Sequence, residues 1–584
     1  MASVVSGRTG HYLLLLVVGV LLTLPNLGRP SLWDIDEGLN AEAAREMLEA
    51  GTWIVPTFNY ELRAAKPVLL YWCQMLSYQV FGINEFGARF PSFLAGLVTM
   101  LLTYELARRM FTPSTGLLAG LVVGSAFEVC MLSHAATPDG LLLLFSTLTY
   151  VCFWFGSRNG SQAWWIPTAI ACGFAVLTKG PVGVALPGTV LLAYFAWNRQ
   201  LSRLFWDRRA ILAWVIFLAI ALPWYILVTV ETKSAFIKEF LLKQNVNRFM
   251  APMEHHSGPI FYHVVGLFIF FAPWSVVLAV TTWISIRQSA TKRLMEPLSP
   301  EASQTIEASR NGVEAYRLLL CWIGAYLLFF SLAATKLPNY VLPLYPALAI
   351  LTARMIDRWR TGELTLPRWA MPAGVGALAL VGVILGTASV LLGGIVDVKI
   401  GKMPRLEGMR EVLWVAAIPL LGAAIAAIYL RWNDRQRVVQ AMTLTAVAFT
   451  GCVAAVASYA LEPHKAPKAI AQELGLHQPD AEIRIGSLVW FQPSLVYYVQ
   501  RQVTKLPDIP ATIEFLKQPV PTYVLIHEKD YDRILPQLTV PHTVIGKRYD
   551  LYKNGHVVVL SNPAAQAARQ PAGGAPAGVA WNDR

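Results

Sequence analysis

About twenty consecutive apolar residues cross the hydrocarbon core of a bilayer, and this chain holds about thirteen runs close to that length. They lie near 11–28, 89–107, 115–133, 138–156, 163–178, 181–197, 210–230, 260–285, 316–334, 339–356, 371–396, 412–430 and 438–460. The pairs that meet at Pro138 and at Lys179 can each be read as one broken helix instead. A water-soluble core cannot absorb so many runs. With 55% hydrophobic and 14% charged residues, the chain has too little charge to cover a soluble surface. The expected class is an α-helical polytopic membrane protein. The first run, His11 to Leu27, has only Arg8 before it and no small-residue cleavage signal after it, so it is read as an uncleaved span.

Basic residues set the expected orientation. With the N-terminus cytoplasmic, the inside loops hold Arg108, Arg109, Arg158, Arg199, Arg203, Arg208, Arg209, Arg287, Lys292, Arg293, Arg310, Arg354, Arg358, Arg360, Arg431, Arg435 and Arg437. The net charge of +12 is therefore assigned to cytoplasmic loops, not to nucleic-acid binding. Lys66, Lys179, Arg248, Lys336 and the cluster Lys399, Lys402, Arg405 and Arg410 fall outside and break the positive-inside pattern, which makes them candidates for holding an anion. The six cysteines lie mostly in apolar runs with no C-x-x-C pair, so neither a disulfide framework nor a zinc knuckle is expected.

The chain divides into a transmembrane region over 1–461, with a first outer loop at about 29–88, an outer α/β domain over 462–562, and a disordered Ala/Pro/Gly-rich tail over 563–584. Ile483 to Trp490, Tyr523 to Ile526 and His556 to Leu560 are strand-like, and Ala511 to Lys517 is helical. No internal repeat of the transporter kind is evident.

Carboxylates crowd the first outer loop. Asp36 and Glu37 stand just before Asn40 to Leu48, a stretch of good helix formers with an apolar stripe, expected to lie flat on the membrane. The two acids either cap that helix or face a cavity at the interface. Lys66-Pro67 precedes Val68 to Trp72, so the lysine either snorkels to headgroups or grips a phosphate at the surface. Asp139, in Thr137-Pro138-Asp139, belongs at the water boundary, because a charge at mid-bilayer costs about 2.5–3.5 kcal/mol on insertion scales. Three further outer segments are basic and polar: Thr178 to Pro181, Gln244 to Phe249, and Thr335 to Tyr340. An arginine fork with lysine point charges suits a phosphodiester. Adjacent histidines, His255 and His256, are weak metal candidates by themselves.

Taken in order, Asp36-Glu37, Ala41-Glu42, Arg45-Glu46-Met47, Gly51 to Pro56, Lys66-Pro67, Leu70-Tyr71-Trp72, Phe81-Gly82, Glu85, Ala88-Arg89 and Pro91-Ser92 resemble the bacterial ArnT-like branch of the protein O-mannosyltransferase superfamily. Thr137-Pro138-Asp139, Thr178 to Pro181, Asn247-Arg248-Phe249, Pro273-Trp274 and Lys336 to Pro346 follow in that family's order. The resemblance implies a GT-C glycosyltransferase fold with about 13 transmembrane helices and a C-terminal periplasmic α/β domain. It implies an inverting enzyme of the bacterial inner membrane that takes a sugar, 4-amino-4-deoxy-L-arabinose above all, from undecaprenyl phosphate to a lipid A phosphate on the periplasmic side. Asp36 and Asp139 then match the family's acidic site residues, with Glu37 beside them, and Lys66, Arg248, Lys336 and Tyr340 match positions expected to hold the donor phosphate. Ala65 departs from the Glu expected before Lys66-Pro67, which weakens any metal site there. No cofactor is required, and a divalent metal stays open. Two other readings remain: transfer to hydroxyls of protein or glycan, and transport or flipping of a lipid-linked sugar.

Overall fold

The computed structural model describes residues 7–158, 164–202, 208–253, 256–290, 300–396, 406, 408–477 and 482–569. Each expected apolar run falls on a helix. Among the described residues, seven helices are long and apolar enough to cross a membrane, and nine if two bent pairs each count as one span. The shorter apolar helices Arg8–Thr23, Trp165–Lys179 and Val182–Trp197 accompany them. The protein is a multi-pass membrane protein. Pro138 opens its own helix, Pro138–Arg158, and Lys179 ends Trp165–Lys179, so neither pair of runs is one continuous helix.

The breaks have local causes. Glu85–Met110 starts where the Asn84 side chain accepts the Gly87 N–H at 2.9 Å, and it ends with Arg108 and Arg109 in its last turn. Pro113–Gly124 and Phe127–Ser133 bend by 63° at Ser125. The freed groups there are taken up: the Ser125 hydroxyl accepts from the Trp274 indole at 2.9 Å, its carbonyl accepts from the Thr450 hydroxyl at 2.9 Å, and the Phe127 N–H donates to the Ala272 carbonyl at 2.9 Å. Gly180, at φ +79°, closes Trp165–Lys179 in a conformation that favours glycine and leaves Lys179 in the last turn.

The first long loop forms the helix Asp36–Glu49, the short antiparallel pair Thr57–Phe58 and Glu61–Leu62, and the helix Leu69–Phe81. Asp36–Glu49 is covered by protein on most of its length. It is buried from Gly38 to Met47 except for Leu39, and packs against Leu69–Phe81 and Pro493–Val499. Its polar residues are paired inside: Arg45 donates to Glu42 at 2.7 and 2.8 Å and to Glu49 at 2.8 Å, and the Tyr78 hydroxyl donates to the Ala41 carbonyl at 3.1 Å. Those pairings let a helix with many charges sit under cover.

Beyond Arg435–Ala460 the chain builds a five-stranded sheet. Its spatial order is Val503–Leu506, Arg484–Leu488, Thr522–His527, Gly555–Ser561, Thr543–Asp550. The first three strands are parallel, and the last two pair antiparallel. Helices Ile509–Leu516 and Glu528–Ile534 follow two of the parallel strands. The tail expected to lack structure begins instead with a helix, Pro563–Arg569, and its remainder lies outside the described residues.

Candidate functional site

Asp139 sits in the first turn of Pro138–Arg158 and is 5% exposed. A buried carboxylate needs a partner, and Lys179 supplies one at 2.5 Å. The Lys179 ammonium also stands 5.4 Å from the centre of the Tyr340 ring, a cation–π arrangement, and the Tyr340 hydroxyl accepts from Arg248 at 3.3 Å. Four separate elements thus meet at one acidic, cationic and aromatic cluster: Pro138–Arg158, Trp165–Lys179, the segment around Arg248, and Pro338–Leu344.

Lys66, on the turn before Leu69–Phe81, faces the same cluster. Its pKa is lowered to about 8, first by burial, then by Lys179 and Arg248, with Asp36 and Asp139 pulling the other way. That ordering places Lys66 within the fields of Asp36, Asp139, Lys179 and Arg248 together. Asp36 is exposed. Expected residues Asp36, Lys66, Asp139, Arg248 and Tyr340 therefore share one region. Lys179 belongs with them, and its break from the positive-inside pattern was its signal in the sequence.

Three expected residues are placed differently. Glu37 is 2% exposed and bound on all sides: Arg89 Nε and Nη2 at 2.9 and 2.7 Å, the Trp33 N–H at 2.7 Å and the Ala136 N–H at 2.6 Å. Burial raises its pKa, but Arg89 and the backbone N–H groups prevail and hold it below the usual carboxylate range. Its oxygens fasten the loop to the 136 turn and are spent. Lys336 is 4% exposed and its ammonium donates to the carbonyls of Phe330 and Ser331 at 3.0 and 2.6 Å. It caps the C-terminal end of Pro300–Leu332, where a cation is favoured by the helix dipole, and does not join the cluster. His256 is exposed, with its carbonyl accepting the Lys336 N–H at 3.0 Å, and His255 lies outside the described residues. Among the described residues no group of three or more His, Cys, Asp or Glu could hold a metal ion.

The loop bearing Asp36 is pinned from above. Asp34 Oδ1 accepts the Ser494 N–H at 2.7 Å and its other oxygen accepts the Ser494 hydroxyl, while the Asp34 N–H donates to Tyr552 Oη at 3.1 Å. The Leu32 N–H donates to Tyr498 Oη at 2.7 Å, and Lys465 donates to the Ser31 carbonyl at 2.8 Å. Gly38 has no alternative, since a Cβ there would stand 2.5 Å from the Ser494 nitrogen. Beside Asp36 opens a cavity of about 440 Å³, bounded by the first loop, the 131–137 turn and the end of Arg435–Ala460.

A bundle of apolar helices with its charged cluster gathered at helix ends, joined to a terminal α/β sheet, is the GT-C glycosyltransferase fold. Comparison with known proteins bears on it directly. Residues 65–227 match the dolichyl-phosphate-mannose-protein mannosyltransferase family. The undecaprenyl phosphate-α-4-amino-4-deoxy-L-arabinose arabinosyl transferase of Pseudomonas aeruginosa strain UCBPP-PA14 is 30% identical over 435 residues, covering 73% of this chain and 72% of that protein. The protein of the same name from Enterobacter sp. strain 638 is 31% identical, and there the alignment covers 59% of this chain and 60% of the relative. An uncharacterized Aquifex aeolicus protein is 29% identical over 64% of its own length, so the chain spans under two thirds of several of its relatives. The crystal structure of ArnT from Cupriavidus metallidurans bound to undecaprenyl phosphate shares the fold, with a TM-score of 0.76 and 24% identity over 96% of this chain and 99% of that one. The chain belongs to the ArnT-like branch of the protein O-mannosyltransferase superfamily.

Proposed function

We propose that the protein is an inverting glycosyltransferase that takes a sugar from undecaprenyl phosphate at the outer face of the bacterial inner membrane. One observation carries the reading: Lys66, Lys179 and Arg248 converge with Asp139 and Tyr340 where apolar helices end, and Asp36 stands beside them. A polyprenyl phosphate leaves as an anion, so cations fixed around its oxygens stabilise the charge that develops as the glycosidic bond breaks. Lys66 and Arg248 hold the phosphate, Arg248 as a planar fork and Lys66 as a point charge. Tyr340 orients Arg248, and Asp139 holds Lys179 in place. The carrier's apolar tail stays in the bilayer while its phosphate is gripped at the boundary.

The sugar named in the curated relatives is 4-amino-4-deoxy-L-arabinose, and a lipid A phosphate is the acceptor that goes with the resemblance. Transfer to a hydroxyl is the second reading, and the cavity beside Asp36 favours it. The outer α/β domain at 462–562 serves in either reading to hold the Asp36 loop. The test is direct. Purified protein in detergent, where no two compartments exist, is given undecaprenyl-linked sugars and acceptor, and the product is followed by mass spectrometry. Transfer there supports catalysis; binding of the carrier without transfer to any acceptor supports transport or flipping instead.

A further inference from the structure

Three helices leave a gap at the end of the bundle away from the charged cluster. Trp165–Lys179, Val182–Trp197 and Arg208–Glu231 bound a cavity of about 490 Å³. Thr168 in its lining stands three turns before Lys179, about 16 Å along the helix, so the cavity belongs to the opposite half of the bilayer. Small side chains make the room: Ala185, Gly188 and Ala213 face it, and a Cβ on Gly188 would meet nothing within 4 Å. Leu192 and Trp214 of its wall are exposed, so it opens to the surrounding hydrocarbon. Tryptophans mark its depth. Trp164 and Trp165 stack with ring centres 3.7 Å apart, and Trp197 ends its helix exposed. Such rings collect at the headgroup boundary.

Two polar groups in this apolar lining are left over. Thr168 is 4% exposed, and its hydroxyl has no hydrogen-bond partner among the described residues. The Trp165 indole N–H, one turn away on the same face, is buried and unpartnered as well. Buried donors without an acceptor are costly, and a bound group that brings one relieves them. A hydrocarbon chain alone brings none, whereas the ester carbonyl at the head of an acyl chain does. Charge follows at the same end. Arg209 stands one turn before Ala213, and Arg199 follows the end of Val182–Trp197, both exposed. Basic residues at the mouth of a gap between spans suit an anionic headgroup. We propose that this cavity binds an anionic diacyl phospholipid from the leaflet away from the cluster. One acyl chain fills the cavity, its ester carbonyl accepts from Thr168 and Trp165, and the phosphate reaches toward Arg199 and Arg209. The lipid joins Trp165–Lys179 to its two neighbours and so braces the helix whose last turn carries Lys179.

The experiment titrates the full chain, delipidated in detergent, with dioleoyl phosphatidylglycerol, its ether-linked analogue, dioleoyl phosphatidylcholine and undecaprenyl phosphate, and counts bound lipid by native mass spectrometry. One tightly held phosphatidylglycerol is expected, and it should raise the thermal midpoint. Phosphatidylcholine should bind roughly tenfold more weakly for want of net charge, and the ether analogue roughly fivefold more weakly for want of the carbonyl. Undecaprenyl phosphate should not displace the phosphatidylglycerol. Gly188→Leu fills the cavity and should weaken phosphatidylglycerol by about tenfold or more, with the lipid-free midpoint unchanged or raised; Ala185→Leu serves if that variant does not fold. Thr168→Val, of nearly the same shape, should remove the preference for the ester over the ether. A filled variant that binds like wild type, ether or phosphatidylcholine binding as tight as the ester phosphatidylglycerol, or displacement by undecaprenyl phosphate each overturns the assignment, the last by giving the cavity to the carrier's tail.

Discussion

Lys66 carries a charge whose presence depends on its neighbours. Free Lys titrates near 10.5, and here burial with Lys179 and Arg248 brings it to about 8. Below that pH the ammonium is charged and binds phosphate; above it the charge is lost. The affinity for undecaprenyl phosphate is therefore expected to fall as pH rises from about 7 to 9, measured by titration in nanodiscs. Lys66→Arg, which stays protonated, should remove that alkaline fall. Glu37 gives the opposite kind of prediction. Its role is structural, so Glu37→Gln leaves Arg89 buried without its counter-charge and should cost about 3–5 kcal/mol of stability, seen as a lower thermal midpoint. The fraction that folds should retain transfer. A loss of transfer with an unchanged midpoint would return Glu37 to the chemistry. From sequence alone Asp36 and Glu37 looked equivalent, because adjacency along the chain does not say which of two acids turns toward an arginine 52 residues away.

At the scale of elements, the Asp36 loop and the helix Pro493–Val499 act as one unit through Ser494 and Tyr498. Asp34 is the titratable joint. Its pKa is raised to about 7, first by burial, with Asp550 adding to the rise and the Ser494 bonds and Lys465 opposing it. The folded state then holds a proton that the unfolded chain releases near pH 4. The stabilising contribution is complete below that value and is lost as pH rises through about 7. The thermal midpoint should accordingly drop between pH 4 and 7, and Asp34→Asn should flatten that slope. Helix positions were legible in the sequence because an apolar run is read from composition alone. Two strands of the five-stranded sheet were not. Val503–Leu506 and Thr543–Asp550 are its two edges, and of their exposed residues Thr504, Lys505, Thr543 and Lys547 are polar and Val544 alone is apolar, so neither run alternates as a half-buried strand should. The packing of Asp36–Glu49 was hidden too, since its charged residues are neutralised by partners such as Arg45 with Glu42 and Glu49, and a sequence shows the charges without the pairing.

For the whole molecule, the site depends on parts far apart in the chain. Basic residues that the positive-inside pattern leaves unexplained pointed to Lys66, Lys179 and Arg248, since a cation that breaks that pattern needs a reason. Lys336 gave the same signal for a different reason, the open carbonyls at a helix end. The link between the sheet and the first loop had no such signal: Asn59 exchanges bonds with the Val503 backbone at 2.8 and 3.0 Å across 444 residues. A chain ending after residue 461 would keep its apolar helices, but the N–H groups of Leu32 and Asp34 would lose Tyr498 and Tyr552, and Ser31 would lose Lys465. Each lost backbone bond in a buried loop costs about 1–3 kcal/mol. That is enough to release the segment holding Asp36, whereas Lys179 and Asp139 are held by the helices. The truncated chain should therefore insert with the circular dichroism of its membrane helices intact, less the short helices beyond 461, and still bind undecaprenyl phosphate, with transfer lost. If transfer survives truncation, the sheet does not position the loop; if carrier binding is lost with it, the cations depend on the sheet as much as Asp36 does.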